Sequence, residues 1–310
     1  FAIEVQNIRR DMNNASVYSG ILSGDISDPA KEKLNEYRNK VYSISQLETY
    51  AACPFKYFAE RLLGIKSLEE PEEEIEPLEM GSLFHAILYE FYEKLKQKKI
   101  ILHNCDNKKF KVAEELVFSI AEQKMNSFSF TSPLAFYERE KILGINGNRK
   151  NSILYKFIEY ERTNENSFIP QYFELQFGKF DTTKPGENLS ELKVNEVNLR
   201  GKIDRIDVDN KEFKVVDYKL SGKKPSRTDL EQGLSLQLPV YMFAAKKFLE
   251  MENDSETLML GADIYSLKYK DEEFGLNSVL PSSKEKKLSI EEISNVNQHL
   301  INNSSDYIKQ

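Results

Sequence analysis

The segment KVVDYKLSG, residues 214–222, places a carboxylate and an ammonium two positions apart at the end of an apolar run. On an extended strand Asp217 and Lys219 leave the same face, because side chains alternate with a period of two. The preceding segment, NLRGKIDRIDV, also reads as a strand, and a short polar turn joins the two. A two-residue loop at Asn210 and Lys211 and a four-residue loop from Asp209 to Glu212 give the same register. Val208 then faces Phe213, Ile206 faces Val215, Asp204 faces Asp217 and Lys202 faces Lys219. Directly opposed residues have Cβ atoms roughly 4.5–5.5 Å apart, and like charges there repel. Two carboxylates so close need a proton, a cation or water between them. A hard divalent cation such as Mg²⁺ relieves the repulsion through oxygen ligands. Lys219 beside it can orient or deprotonate a water, or neutralise a developing oxyanion. The same residues also read as ordinary polar side chains at an exposed strand end, each paired elsewhere, and spacing alone leaves both readings open.

The elements that must hold these residues are legible around them. Ser45 followed by Glu48 reads as a capping box before an apolar stripe at Leu47, Tyr50 and Ala51. Pro54 suits the first turn of a second helix over CPFKYFAERLLGI. In GSLFHAILYEFYEKLKQK, apolar residues at 83, 84, 87, 88, 91, 92 and 95 have helical spacing. Residues 108–165 read as mostly helical, with breaks at SFTSP and GINGN, which suggests a helical insertion at about 97–170. YFELQFG is a strand, SLQLPVYMFAAKKFLE a helix with Pro239 in its first turn, and LMLGADIYSLKY a further strand. Helix, strands, helix and strand in this order predict an α/β fold with a mixed sheet flanked by helices.

Composition narrows the class. The 310 residues are 40% hydrophobic and 30% charged, which fits a globular chain. No apolar run approaches the roughly eighteen residues of a membrane span. The net charge of -7 argues against a general nucleic-acid coat protein, yet residues 193–227 hold ten Lys or Arg against six Asp or Glu. Two cysteines, Cys53 and Cys105, cannot form a disulfide framework, so a reducing, cytoplasmic setting is expected. No GxxxxGK[ST] loop is present: SGKK at 221–224 has Asp217 where that motif needs its first glycine. The chain starts at Phe1 with no initiator Met or signal segment, and residues 1–40 show little periodicity. We therefore expect a piece of a longer protein whose first 40 residues are a linker or strap from a preceding domain.

In order along the chain, SISQLETYAACPFKYFAERLLGI, GSLFHAILYEFY, YFELQFG, GKIDRID, VVDYKLSGKK and LSLQLPVYMFA resemble the PD-(D/E)XK nuclease superfamily. Within it they are most similar to RecB-like nuclease domains of the AddB type. The resemblance runs from about Val41 to Tyr265 and implies a restriction-endonuclease-like core in a nuclease domain over 41–310. It also implies that Asp204 and Asp217 hold the catalytic Mg²⁺ or Mn²⁺ with His85 and the backbone carbonyl of Tyr218, and that Lys219 is the catalytic lysine. Glu174 matches an acidic core position, and Gln237 and Tyr241 match a supporting Gln-x-x-x-Tyr motif, four apart and so on one helical face. Each also has a bland alternative: core histidine, strand-edge charge, surface amide or packing tyrosine.

The implied activity is metal-dependent hydrolysis of single-stranded DNA by an exonuclease acting in double-strand-break repair and recombination, with an AddA-like helicase partner. A catalytically weak scaffold that binds DNA or that partner is the alternative. The sequence departs from the AddB type in one respect. Those domains often hold a [4Fe-4S] cluster through one cysteine at the position of Cys53 and three near the C-terminus, but no cysteine follows Cys105, which matches none of them. Such a cluster takes four thiolates. Cys53 is then an orphan ligand, either because the chain stops short of the other three or because its lineage lost the cluster.

Overall fold

The fold is built around the hairpin that the charged motif suggests. In the computed structural model, β5 (Val197–Asp209) and β6 (Glu212–Lys219) pair antiparallel across a two-residue turn. Asn210 takes a left-handed φ of 56°, as such tight turns require and as asparagine tolerates. The structure describes residues 28–65, 77–126, 133–165, 167–178, 188–189, 191–220, 224–268, 273–279 and 289–309. The loop expected at FDTTKPGENLSE and the SFTSP break lie largely outside these residues.

The chain divides into two units, Phe1–Val41 and Tyr42–Gln310. In the first, the described residues form a helix, α1 (Asp28–Arg38), in a stretch whose sequence shows little periodicity. In the second, a mixed sheet runs in the order β3-β2-β5-β6-β7-β8, with β1 (Val41–Ser43) and β4 (Leu192–Val194) also pairing with β5. The remaining strands are β2 (Ile169–Phe177), β3 (Asn188–Leu189), β7 (Leu258–Ser266) and β8 (Gly275–Ser278). β5 is antiparallel to both β2 and β6, whereas β6 and β7 are parallel.

Each face of the sheet carries its own core. On one face Phe213, Val215, Ile206, Leu175 and Phe177 pack with α8 (Arg227–Glu231), α9 (Gln237–Asn253) and α10 (Ile290–Lys309). On the other, Val216, Tyr218, Phe173 and Tyr265 pack with α4 (Pro77–Gln97), α5 (Asn107–Met125) and α7 (Ile153–Thr163). The helical segment between α4 and β2 also holds α6 (Pro133–Leu143), whose Ile142 joins the same core. α4 buries Leu83, Phe84, Ile87, Leu88, Phe91, Tyr92 and Leu95, the stripe that its spacing predicts.

Two local expectations are revised. The helix α2 (Ile44–Ala52) is capped by Ser43, whose N–H donates to Gln46 Oε1 at 3.0 Å, so the box sits two residues earlier than expected and Glu48 is released for another task. CPFKYFAERLLGI forms only a short helix, α3 (Pro54–Tyr57), which widens into a π-turn over Phe58–Leu62. Cys53 caps α3 through its sulfur, which accepts from the Lys56 N–H at 3.4 Å.

Candidate active site

Regular alternation fails in the middle of β2. On β2, Phe173 packs into one core and Leu175 into the other although they are two residues apart. The residue between them, Glu174, has a φ of 53°. A left-handed residue inside a strand acts like a bulge and re-aims the chain. β5 switches faces at the neighbouring position, since Ile203 and Arg205 also fall on opposite sides of Asp204. Both carboxylates therefore emerge at the irregularity, where a side chain from α4 can reach them.

That side chain is His85. Its Nδ1 lies 3.3 Å from Asp204 Oδ1 and 3.4 Å from Glu174 Oε1. One donor atom from each of His85, Glu174 and Asp204 lies within 4.8 Å of the others. Burial disfavours the charged imidazole, but Asp204 and Glu174 together outweigh it and push the His85 pKa up to about 10. Glu174 also pairs with Lys202 of β5.

The ladder between β5 and β6 follows the expected register from Asp209 and Glu212 to Arg205 and Val216, and ends there. Asp204 and Asp217, and Lys202 and Lys219, are not ladder pairs. Instead, Asp204 Oδ2 accepts the Tyr218 N–H at 2.9 Å, replacing a backbone bond with a charge-assisted one. Like charges placed squarely opposite would have opposed the regular pairing.

Asp217 is buried and stands with a second group of residues. Lys219 Nζ is 2.9 Å from its Oδ2, and Gln237 Nε2 donates to its Oδ1 at 2.8 Å. Gln237 Nε2 also reaches Tyr241 Oη at 3.3 Å, so the Gln-x-x-x-Tyr pair acts as one unit. Burial, then the charge of Asp204, raise the Asp217 pKa to about 6 against the opposing pull of Lys219. Burial acts against the Lys219 ammonium, but Asp217, Asp204 and Glu48 raise its pKa overall, and it is cationic at neutral pH. The structure thus brings His85, Glu174 and Asp204 together as a donor set, with Glu174 more central than its supporting role implied. Asp217 is linked to that set electrostatically rather than by shared proximity.

Three contributors carry no signal that singles them out in the sequence. Glu48 Oε1 accepts the N–H groups of Leu236 at 2.8 Å and Gln237 at 3.0 Å, capping α9 and fixing where Gln237 starts. Burial raises its pKa, partly offset by those two bonds. No local signal links residues so far apart in sequence. Gly201 faces Phe177, and a Cβ there would sit 2.5 Å from the ring, so glycine lets Phe177 lie across β5 and meet Tyr241 edge-on at 5.9 Å. Arg205, inside GKIDRID, is nearly inaccessible and pairs with Asp207 and Glu161.

The donor chemistry fits a hard divalent cation: two carboxylates and an imidazole, with no thiolate among them. It does not fit an iron-sulfur cluster, because the sequence holds two cysteines, Cys53 acts as a helix cap and Cys105 is buried in the helical core. A cavity of about 550 Å³ lies elsewhere, lined by Tyr92, Phe168, Phe173 and Arg205 among others, and includes none of the candidate site residues. Among the described residues no helix is long and apolar enough to cross a membrane.

The sequence profile of the PD-(D/E)XK nuclease superfamily matches residues 41–306. Among curated proteins, the chain is 31% identical over 229 residues to an ATP-dependent helicase/deoxyribonuclease subunit from Clostridioides difficile, covering 71% of this chain and 18% of that protein. It is 30% identical over 220 residues to the subunit of the same name from Natranaerobius thermophilus, covering 68% of this chain and 18% of the relative. For the one from Moorella thermoacetica the figures are 32% over 210 residues, 66% and 17%. The chain thus spans less than a fifth of the length of these relatives.

Proposed function

Because the chain belongs to the PD-(D/E)XK nuclease superfamily, we propose that it is a divalent-metal-dependent deoxyribonuclease domain that hydrolyses phosphodiesters of single-stranded DNA. The observation that carries this reading is the convergence of His85, Glu174 and Asp204 on one point, with the Asp217–Lys219 pair coupled to it through the charges of Asp204 and His85. Glu174, Asp204 and His85 would hold Mg²⁺ or Mn²⁺, with Asp217 and the Tyr218 carbonyl as further ligands. When bound, the cation supplies Lewis acidity, which acidifies water and neutralises phosphate charge.

The remaining work falls to the protein. Lys219 is cationic at neutral pH, which favours a role in stabilising charge on the phosphoryl oxygens over one as a resting general base. Asp217 holds the Lys219 ammonium at 2.9 Å and so aims it. Gln237 fixes the other oxygen of Asp217, and Tyr241 closes the same face at 3.3 Å from Gln237. The positive charges of His85, Lys202 and Lys219 offset the negative charges of Glu174, Asp204 and Asp217, so the carboxylates stay close to one another.

The relatives are named as subunits of an ATP-dependent helicase/deoxyribonuclease. On that basis we propose that the domain works with an AddA-like helicase partner in DNA break repair and recombination, with ATP turnover carried by that partner or by another domain. Exonuclease action on strands delivered by such a partner fits this setting. The test is cleavage of end-labelled single-stranded DNA in Mg²⁺, in Mn²⁺ and in EDTA, beside an Asp204→Ala variant. Cleavage that needs the cation and is lost in the folded variant supports the reading. Cleavage persisting in EDTA or in Asp204→Ala would refute it.

A further inference from the structure

Next to Asp204 on β5, a buried charged network lies between the sheet and the helices. Arg205 grips Asp207 with two parallel bonds, Nε to Oδ1 at 2.5 Å and Nη2 to Oδ2 at 2.6 Å. Its Nη1 lies 3.1 Å from Glu161 Oε1, donates to Tyr92 Oη at 3.0 Å and reaches Tyr218 Oη at 3.5 Å. Tyr92 in turn donates to Glu161 Oε2 at 2.7 Å. All five residues are more than nine-tenths buried.

The placement of the five residues ties the network to the site. Arg205 follows Asp204 in β5, and Arg205 and Val216 form the last ladder pair before the carboxylates diverge. Tyr218 offers its hydroxyl to the network on one side and its backbone N–H to Asp204 on the other. Tyr92 lies seven residues, two helical turns, beyond His85 on α4, so the two share a face. Tyr92 stacks on Phe173 at 4.5 Å, and Phe173 precedes Glu174 on β2. One guanidinium therefore joins α4, β5, β6 and α7, and the first three of these deliver His85, Asp204 and Asp217.

We propose that the Arg205 network is a positioning device for the cation site, setting how far His85, Asp204 and the Tyr218 backbone stand from one another. The inference rests on the cation-site reading above and assigns Arg205, Tyr92, Glu161 and Tyr218 a part in it without contact to cation or substrate through their side chains. A planar fork held by two carboxylates and two hydroxyls has one geometry, whereas a point charge on a flexible stem has many. The substitution that separates positioning from charge is therefore Arg205→Lys.

The experiment measures Mn²⁺ affinity by calorimetry for the wild-type chain, Arg205→Lys and Tyr218→Phe, with a melting curve for each. Val117→Ala, a buried apolar change in α5 with no polar link to the network, serves as a control for general destabilisation. The expected result is a loss of about tenfold or more in Mn²⁺ affinity for Arg205→Lys, as is usual when an outer-shell partner is removed. Tyr218→Phe should show a smaller loss in the same direction, and Val117→Ala none. If Arg205→Lys does not fold, Tyr218→Phe decides on the same criterion. Folded network variants that bind Mn²⁺ as the wild type does would overturn the proposal while leaving the cation site standing. A loss in Val117→Ala equal to that in Arg205→Lys would overturn it as well. A wild-type chain that binds no Mn²⁺ would overturn the cation-site reading and this inference with it.

Discussion

If His85 is a cation ligand, binding at this site must compete with a proton. Its neighbours Asp204 and Glu174 push the His85 pKa up to about 10, so at neutral pH the ring is an imidazolium lodged between two carboxylates. Coordination needs the neutral ring. At pH 7 only ~0.1% of the ring is neutral, and removing the proton costs about 4 kcal/mol, three pKa units at 1.36 kcal/mol each. The apparent affinity for Mg²⁺ or Mn²⁺ should therefore rise about tenfold per pH unit from pH 6.5 to 8.5, with roughly one proton released per cation. Asp217, held at about 6, is largely ionised over that range and adds slope only below it. Calorimetry in buffers of different ionisation enthalpy reads the proton release directly. In a His85→Asn variant the slope and the released proton should both vanish. Tight binding with a flat pH dependence and no proton release in the wild type would refute the reasoning, because the cation would then be held by carboxylates with His85 protonated outside its shell.

Linkage gives a second expectation for the cation-free chain. The raised His85 pKa contributes stability that is fully present below about 6.5 and lost as pH rises toward 10, so Tm should fall across that interval, and added cation should flatten the fall. Glu48→Ala removes the acceptor for two amides at the start of α9 and should cost about 1–2 kcal/mol in denaturant unfolding, whereas Glu48→Gln keeps an acceptor and should lie within about 0.5 kcal/mol of wild type. Equal losses in both would mean that charge rather than capping matters. Arg205→Ala strips the guanidinium from two buried carboxylates and should destabilise the fold by about 3–5 kcal/mol, measured by urea denaturation. A loss below about 1 kcal/mol would show the network to be solvated.

Much of the fold is legible in the sequence because it rests on periodicity. The α4 stripe, the hairpin and its tight turn follow from apolar spacing and from Asn210, all of it local information. Local reasoning finds Asp204, whereas His85 and Glu174 are picked out only by the resemblance to the superfamily, and neither route gives the grouping of the three. Glu174 moves to the centre because a left-handed residue breaks strand alternation, and a glutamate gives no sign of that in sequence. The expected opposition of Asp204 and Asp217 assumes a ladder continuing to the strand end. The ladder stops earlier, and a carboxylate takes the place of a backbone acceptor. Glu48 misleads for a simpler reason: its spacing to Ser45 suits a capping box, while its real partners, Leu236 and Gln237, lie far along the chain. Arg205 looks like one more charge in a basic stretch, and only the packing of α4 and α7 shows it to be buried.

We propose that Lys219 and the carboxylates form one metal-dependent hydrolytic centre, in which the lysine serves the reaction rather than the binding of the cation. The measurement that tests it most directly pairs two readings on one preparation of Lys219→Ala: Mn²⁺ affinity by calorimetry and single-turnover cleavage of end-labelled single-stranded DNA at saturating Mn²⁺. The expected result is a folded variant that binds Mn²⁺ at least about as tightly as wild type, since a competing cation beside Asp217 is gone, with cleavage slowed by on the order of a hundredfold or more. Cleavage at the wild-type rate by a folded, Mn²⁺-loaded Lys219→Ala protein would mean that Lys219 has no part in the reaction.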